Sequence, residues 1–129
     1  MSADIEINGE GDSARFTRAD LVARVALDAA GVSDGHLAVD FVDARAIRRL
    51  NAEHRGKEGP TDVLSFPVDG AIESAFGERE LGDVVICPEH TVDLTEAVVH
   101  GVLHLVGMDH ELDDGEMLAL QAEVLSWVR

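Results

Sequence analysis

The stretch Val98-Val99-His100-Gly101-Val102-Leu103-His104-Leu105-Val106 constrains this chain more than any other. A helix this apolar belongs inside the fold, and polar rings on it need partners. Histidines four apart lie on one helical face, about 6 Å apart along the axis, so both imidazoles can reach one ion. Gly107 is placed to end the helix in a left-handed conformation, and the turn after it brings His110 back toward the pair. Three neutral nitrogen ligands with no obvious fourth describe zinc, one ion per chain, with a position left for water. The plainer reading is histidines on a polar face, or hydrogen-bonded in a core. Three of the chain's six histidines within eleven residues, among valines and leucines, fit it poorly.

The spacing matches the H-E-x-x-H-x-x-G-x-x-H pattern of metzincin proteases at its histidines and its glycine. Gly101 stands where the protease glutamate would be. That glutamate takes a proton from water at the metal. Without it, the ligand set serves another hydrolysis, or binding alone. A metallopeptidase is therefore disfavoured.

A chain of 129 residues, 46% of them hydrophobic, has the profile of one globular domain with a modest core, expected over residues 1–129. No apolar run is long enough to span a bilayer. MSADIEINGEGDSARF has neither a basic start nor an apolar stretch, so it does not read as a signal peptide. Cys87 is the only cysteine and reads as a small buried residue at a strand end. A cytoplasmic protein, with no membrane partner, is expected.

The net charge of −16 argues against general nucleic-acid binding, because phosphates repel it. The charge is uneven, however. Eight of the ten Lys and Arg residues lie between Arg15 and Lys57, while residues 58–129 carry two basic and sixteen acidic side chains. Residues 43–57 set Arg45, Arg48, Arg49, Arg55 and Lys57 against Asp43 and Glu53. That stretch can meet a polyanion; for Arg45 and Arg48, a solvated helix face is the competing reading.

Periodicity predicts a strand at Ile5–Ile7, a loop from Asn8 to Ser13, and a helix after Thr17 ending near Gly31. A strand follows over His36–Val42. Asp43 is placed to cap a helix from Ala44 to about His54, with Ile47 and Leu50 inward. Strands are predicted over Thr61–Phe66, closed by Pro67, and Leu81–Cys87, stopped by Pro88. Residues 69–80 read as an exposed loop. A helix carries His100 and His104 to Val106. A last one covers about Asp113 to Val128, offering Met117, Leu118, Leu120, Val124, Leu125 and Trp127 to the core. The order βαβαββαα describes an α/β (α+β) fold: one mixed sheet packed with helices, and a metal site on the helix and loop of the histidine run.

Three blocks resemble the YbeY endoribonucleases, the bacterial ribosomal-RNA maturation factors. They are L-N-x-x-H-R-G-K-x-x-P-T-D-V-L-S-F-P from Leu50 to Pro67, L-G-D-V-V-I from Leu81 to Ile86, and the run from His100 to His110. The resemblance implies that His100, His104 and His110 bind zinc and that Arg55 lies near the active site and serves RNA cleavage. It also implies cutting of single-stranded RNA, 3′-end maturation of small-subunit ribosomal RNA, and ribosome quality control. Small-subunit ribosomal proteins and an assembly GTPase are the implied partners. The chain departs from the family pattern at His54, where an aromatic residue is usual, and at Met108, where tyrosine is common. The stretch between Pro88 and Val99 is also short for the family.

The chemistry can be argued from the residues as well. Zinc lowers the pKa of water toward ~7. Either that water attacks a phosphodiester, or the RNA 2′-OH attacks while zinc polarises a phosphate oxygen. Arg55 is the best cationic clamp for the charge that develops. Arg45, Arg48, Lys57 and Thr61 are weaker substrate-binding candidates. Asp62 is a weak candidate for orienting a histidine or water, and Asp109 reads first as a cap in the His110 turn. No general base is assigned. The leading expectation is a zinc-dependent endoribonuclease. The alternative is a ribosome-assembly factor whose metal is structural, which a fourth protein ligand would favour.

Overall fold

A computed structural model gives the fold, described over residues 3–9, 18–56, 62–68 and 80–129, with Arg55 described in its backbone alone. The elements are β1 (Asp4–Gly9), α1 (Ala19–Ala29), β2 (His36–Phe41), α2 (Ala44–Arg55), β3 (Val63–Pro67), β4 (Glu80–Ile86), a short 3₁₀ turn (Pro88–His90), α3 (Leu94–Leu105) and α4 (Glu116–Val128). The strands form one mixed sheet in the order β1-β2-β4-β3. β1, β2 and β4 run parallel, and β3 is the antiparallel edge. The predicted α/β (α+β) class and element order are both found.

Strand alternation sorts the core into two. Leu37, Val39 and Phe41 of β2, with Leu81, Val84 and Ile86 of β4, face the larger cluster, which α1, α3 and α4 complete. Val85 and Cys87 face the other way, with Leu64 of β3, and α2 covers them through Ile47 and Leu50. α3 is central: Val98, Val99, Val102 and Leu103 are fully buried. Burying each such side chain contributes roughly 1.5–3 kcal/mol. α2 begins as predicted, Asp43 Oδ1 accepting from the Ala46 N–H at 2.8 Å.

Several boundaries differ from the sequence reading, each for a local reason. β1 continues through Asn8 and Gly9, because Asn8 Nδ2 donates across to Asp40 Oδ1 on β2 at 2.8 Å. Glu80 belongs to β4, not to a loop; it pairs with His36, and their side chains meet at 3.1 Å. α4 starts at Glu116 instead of Asp113. The Asp113 carboxylate stays outside the helix and accepts from the N–H groups of Gly115 and Met117 at 2.8 and 3.0 Å. Leu118 and Trp127 do not join the core: they are 48% and 58% exposed, because the buried stripe of α4 is Met117, Gln121 and Val124. The predicted loop over residues 69–79, Thr17 and the polar run 10–13 lie outside the described residues. No described helix is long and apolar enough to cross a membrane.

Candidate metal centre

α3 lies so close to the sheet that Gly101 is a packing requirement. A Cβ at Gly101 would stand 2.4 Å from Val84 Cγ1 and 3.0 Å from Val63 Cγ2. Ser65 Oγ on β3 donates to the Gly101 carbonyl at 2.8 Å and fixes the helix to the edge strand. The glutamate of the protease pattern has no room here. His100 and His104 flank this contact and are only partly buried.

The end of α3 delivers the third histidine. Gly107 adopts φ +103°. Its N–H donates to the His104 carbonyl at 3.0 Å, and the Met108 N–H donates to the Leu103 carbonyl at 3.1 Å. These two bonds are those of a Schellman turn. Asp109 then closes the next turn: its side chain accepts from the Glu111 N–H at 2.9 Å, and its carbonyl accepts from the Leu112 and Asp113 N–H groups. Asp109 is thus the cap that the sequence suggested.

The result is a convergent triad. His100, His104 and His110 each offer a nitrogen, and the three lie within 4.8 Å of one another. Ring centroids are 4.9, 5.2 and 5.4 Å apart, with planes 70–89° to each other. No fourth His, Cys, Asp or Glu completes the group among the described residues. Burial lowers the pKa of His104 below the ordinary imidazole value, and charge on His100 or His110 would lower it further. A neutral ring keeps the lone pair a cation needs. His110 Nδ1 is buried without a hydrogen-bond partner. Buried polar atoms are rarely left so, and a cation among the rings offers a way to satisfy it. His100 Nδ1 lies 2.8 Å from Gln121 Oε1 on α4. The residues present therefore fit a divalent cation of the zinc type, with an open side.

That side faces a cleft of about 730 Å³, bordered by the three histidines, His54, Asp62, residues 63–67, Asp109 and Glu111. Asp62 accepts from the Val63 N–H at 2.9 Å. His54 packs edge-on against Phe66, ring centroids 4.9 Å apart, on one wall. Both also border a second hollow of about 560 Å³ on the α2 face of the sheet. Arg45 and Arg48 are exposed on α2, and neither borders the cleft. Lys57, Thr61 and the side chain of Arg55 lie outside the described residues. Arg55 is the last residue of α2, directly after the cleft residue His54.

Residues 14–129 match the family model described as endoribonuclease YbeY. The chain belongs to the YbeY endoribonuclease family. An endoribonuclease YbeY of Rubrobacter xylanophilus is 47% identical over 98 residues, covering 74% of this chain and 69% of that one. That of Salinispora tropica is 42% identical over 149 aligned residues, 95% of each chain. The alignment is longer than this chain, so the Salinispora member carries residues without a counterpart here. A protein of Thermotoga maritima known from a solution structure superposes with a TM-score of 0.57 at 29% identity, covering 96% of this chain and 88% of that one. Family membership adds RNA as the substrate class to a site whose geometry alone describes an open metal centre.

Two contributors were missed in the sequence. No motif in the sequence singles out Gln121. Its signal was its position four after Met117 and three before Val124, in register with the buried stripe. His54 was noted only as a departure from the family, and its pairing with Phe66 depends on how α2 meets β3.

Proposed function

We propose that this chain is a zinc-dependent endoribonuclease that cuts single-stranded ribosomal RNA, in 3′-end maturation of the small-subunit RNA and in ribosome quality control. One observation carries the reading: three ring nitrogens converge at the wall of an open cleft, with no fourth ligand among the described residues to close it. A structural zinc site is normally closed by four protein ligands, so the non-catalytic alternative is the weaker one. When bound there, zinc supplies a Lewis acid toward a phosphoryl oxygen and toward water.

The chain's own residues do the rest. The triad holds the cation at the cleft wall. Phe66 and His54 offer ring surface beside it, on which an unpaired base can stack; a base held in a duplex cannot. The described lining contains the carboxylates of Asp62, Asp109 and Glu111 but no Lys or Arg. An RNA phosphate there would be balanced by the metal together with Arg55, which the family resemblance puts near the active site and which is assigned here as the clamp on the scissile phosphate. With a net charge of −16, naked RNA is bound weakly. Affinity in the cell then comes from small-subunit proteins and an assembly GTPase that hold the substrate nearby.

The test is cleavage of a single-stranded RNA by the purified chain, before and after chelation and after zinc is restored. Loss on chelation and recovery with zinc are expected. Full cleavage by the metal-free chain would overturn the reading.

A further inference from the structure

We propose that Gln121 is a positioning residue, which selects the His100 tautomer that can bind the metal. The inference rests on the zinc reading above and adds a residue from a different helix. Gln121 is 9% exposed and lies between Met117 and Val124, both fully buried, on the inner face of α4. An amide in such a stripe must be hydrogen-bonded. The partner found is a metal-site histidine twenty-one positions away: His100 Nδ1, 2.8 Å from Gln121 Oε1.

The chemistry allows only one useful arrangement. A neutral imidazole carries one N–H and one lone pair. With Nδ1–H donating to Oε1, the lone pair is on Nε2, free for a cation. The reverse amide orientation would donate N–H to Nδ1, put the ring proton on Nε2 and exclude His100 from the ligand set. Gln121 also fixes the ring plane, since the bond lies along one direction of the imidazole. Histidine ligands generally have their second nitrogen held in this way, and loss of the holding group weakens metal binding about 10–100-fold. A carboxylate in this place would also make the ligand more basic. The amide holds the ring without adding charge to a cleft that already has Asp62, Asp109 and Glu111 on its wall.

Three proteins test this: the natural chain, Gln121→Met, which keeps volume and loses the acceptor, and Gln121→Glu, which keeps the acceptor. Zinc affinity is read by competition with a chromogenic chelator. The His100 tautomer is read by ¹⁵N NMR on the metal-free proteins. Gln121→Met should bind zinc about 10–100-fold more weakly and lose the predominance of the Nδ1–H form at His100. Gln121→Glu should restore both, with affinity equal to or above that of the natural chain. Natural affinity and an unchanged tautomer in Gln121→Met would overturn the role of Gln121 while leaving the metal site standing. If Gln121→Met does not fold, Gln121→Glu decides: weakened zinc binding, or loss of the Nδ1–H form, would overturn the proposal. A natural chain that takes up no zinc would overturn the metal reading and this inference with it.

Discussion

Replacing Gly101 by alanine tests the close approach of α3 to the sheet at the site. The new Cβ would lie 2.4 Å from Val84 Cγ1 and 3.0 Å from Val63 Cγ2, against an optimum of about 3.5–4.0 Å between carbon atoms. Val84 cannot readily give way. It is fully buried on β4, which lies between β2 and β3, and its β-branched side chain has few rotamers. α3 cannot lift freely either, since α1 and α4 complete the core around it. Overpacking of this kind costs roughly 1–3 kcal/mol, and the rigid neighbours place it at the upper end. Alanine regains roughly 1 kcal/mol in helix propensity. The net expectation is destabilisation by about 1–2 kcal/mol, which lowers Tm by roughly 3–5 °C per kcal/mol for a chain of this size. Urea unfolding should show a lower midpoint with an unchanged slope. Zinc affinity should fall too, because His100 and His104 ride on the displaced turn. A variant as stable as the natural chain, or more so, would refute the claim that the helix is seated on the sheet through this glycine.

Two further outcomes are expected. Arg55→Ala should lower RNA cleavage about 10²-fold or more, on the scale of losing one charge-stabilising donor, and leave zinc affinity intact; undiminished cleavage would make Arg55 a surface charge only. His36 is raised in pKa chiefly by its hydrogen bond to Glu80, against some lowering by burial. A raised folded pKa stabilises fully below the unfolded value of about 6.5 and is lost as pH rises through the folded value. The urea-midpoint advantage of the natural chain over His36→Gln should therefore shrink from pH 6 to pH 9, and an advantage constant with pH would refute the assignment.

The sequence by itself determined the order of the elements and the three-histidine cluster that could hold a metal. Helix and strand periods, the Asp43 cap and the Gly107 stop are local, and local signals survive in one dimension. The triad was legible for the same reason: four residues of helix and a six-residue turn fix His100, His104 and His110 relative to one another, whatever surrounds them. The tertiary structure decided what lies between elements. Gly101 looked like a missing catalytic base, and only the seating of α3 on Val84 and Val63 shows why no side chain fits there. Nothing local in the sequence links Gln121 to His100, and only the packing of α4 on α3 brings its amide there. Leu118 and Trp127 were read as core because a hydrophobic side chain does not reveal which helical face is covered. The strand order β1-β2-β4-β3, with β3 antiparallel at the edge, sets Phe66 beside His54. Such pairings arise from how independent faces are buried together, and that is settled by the shape of the whole core rather than by the spacing along any one segment.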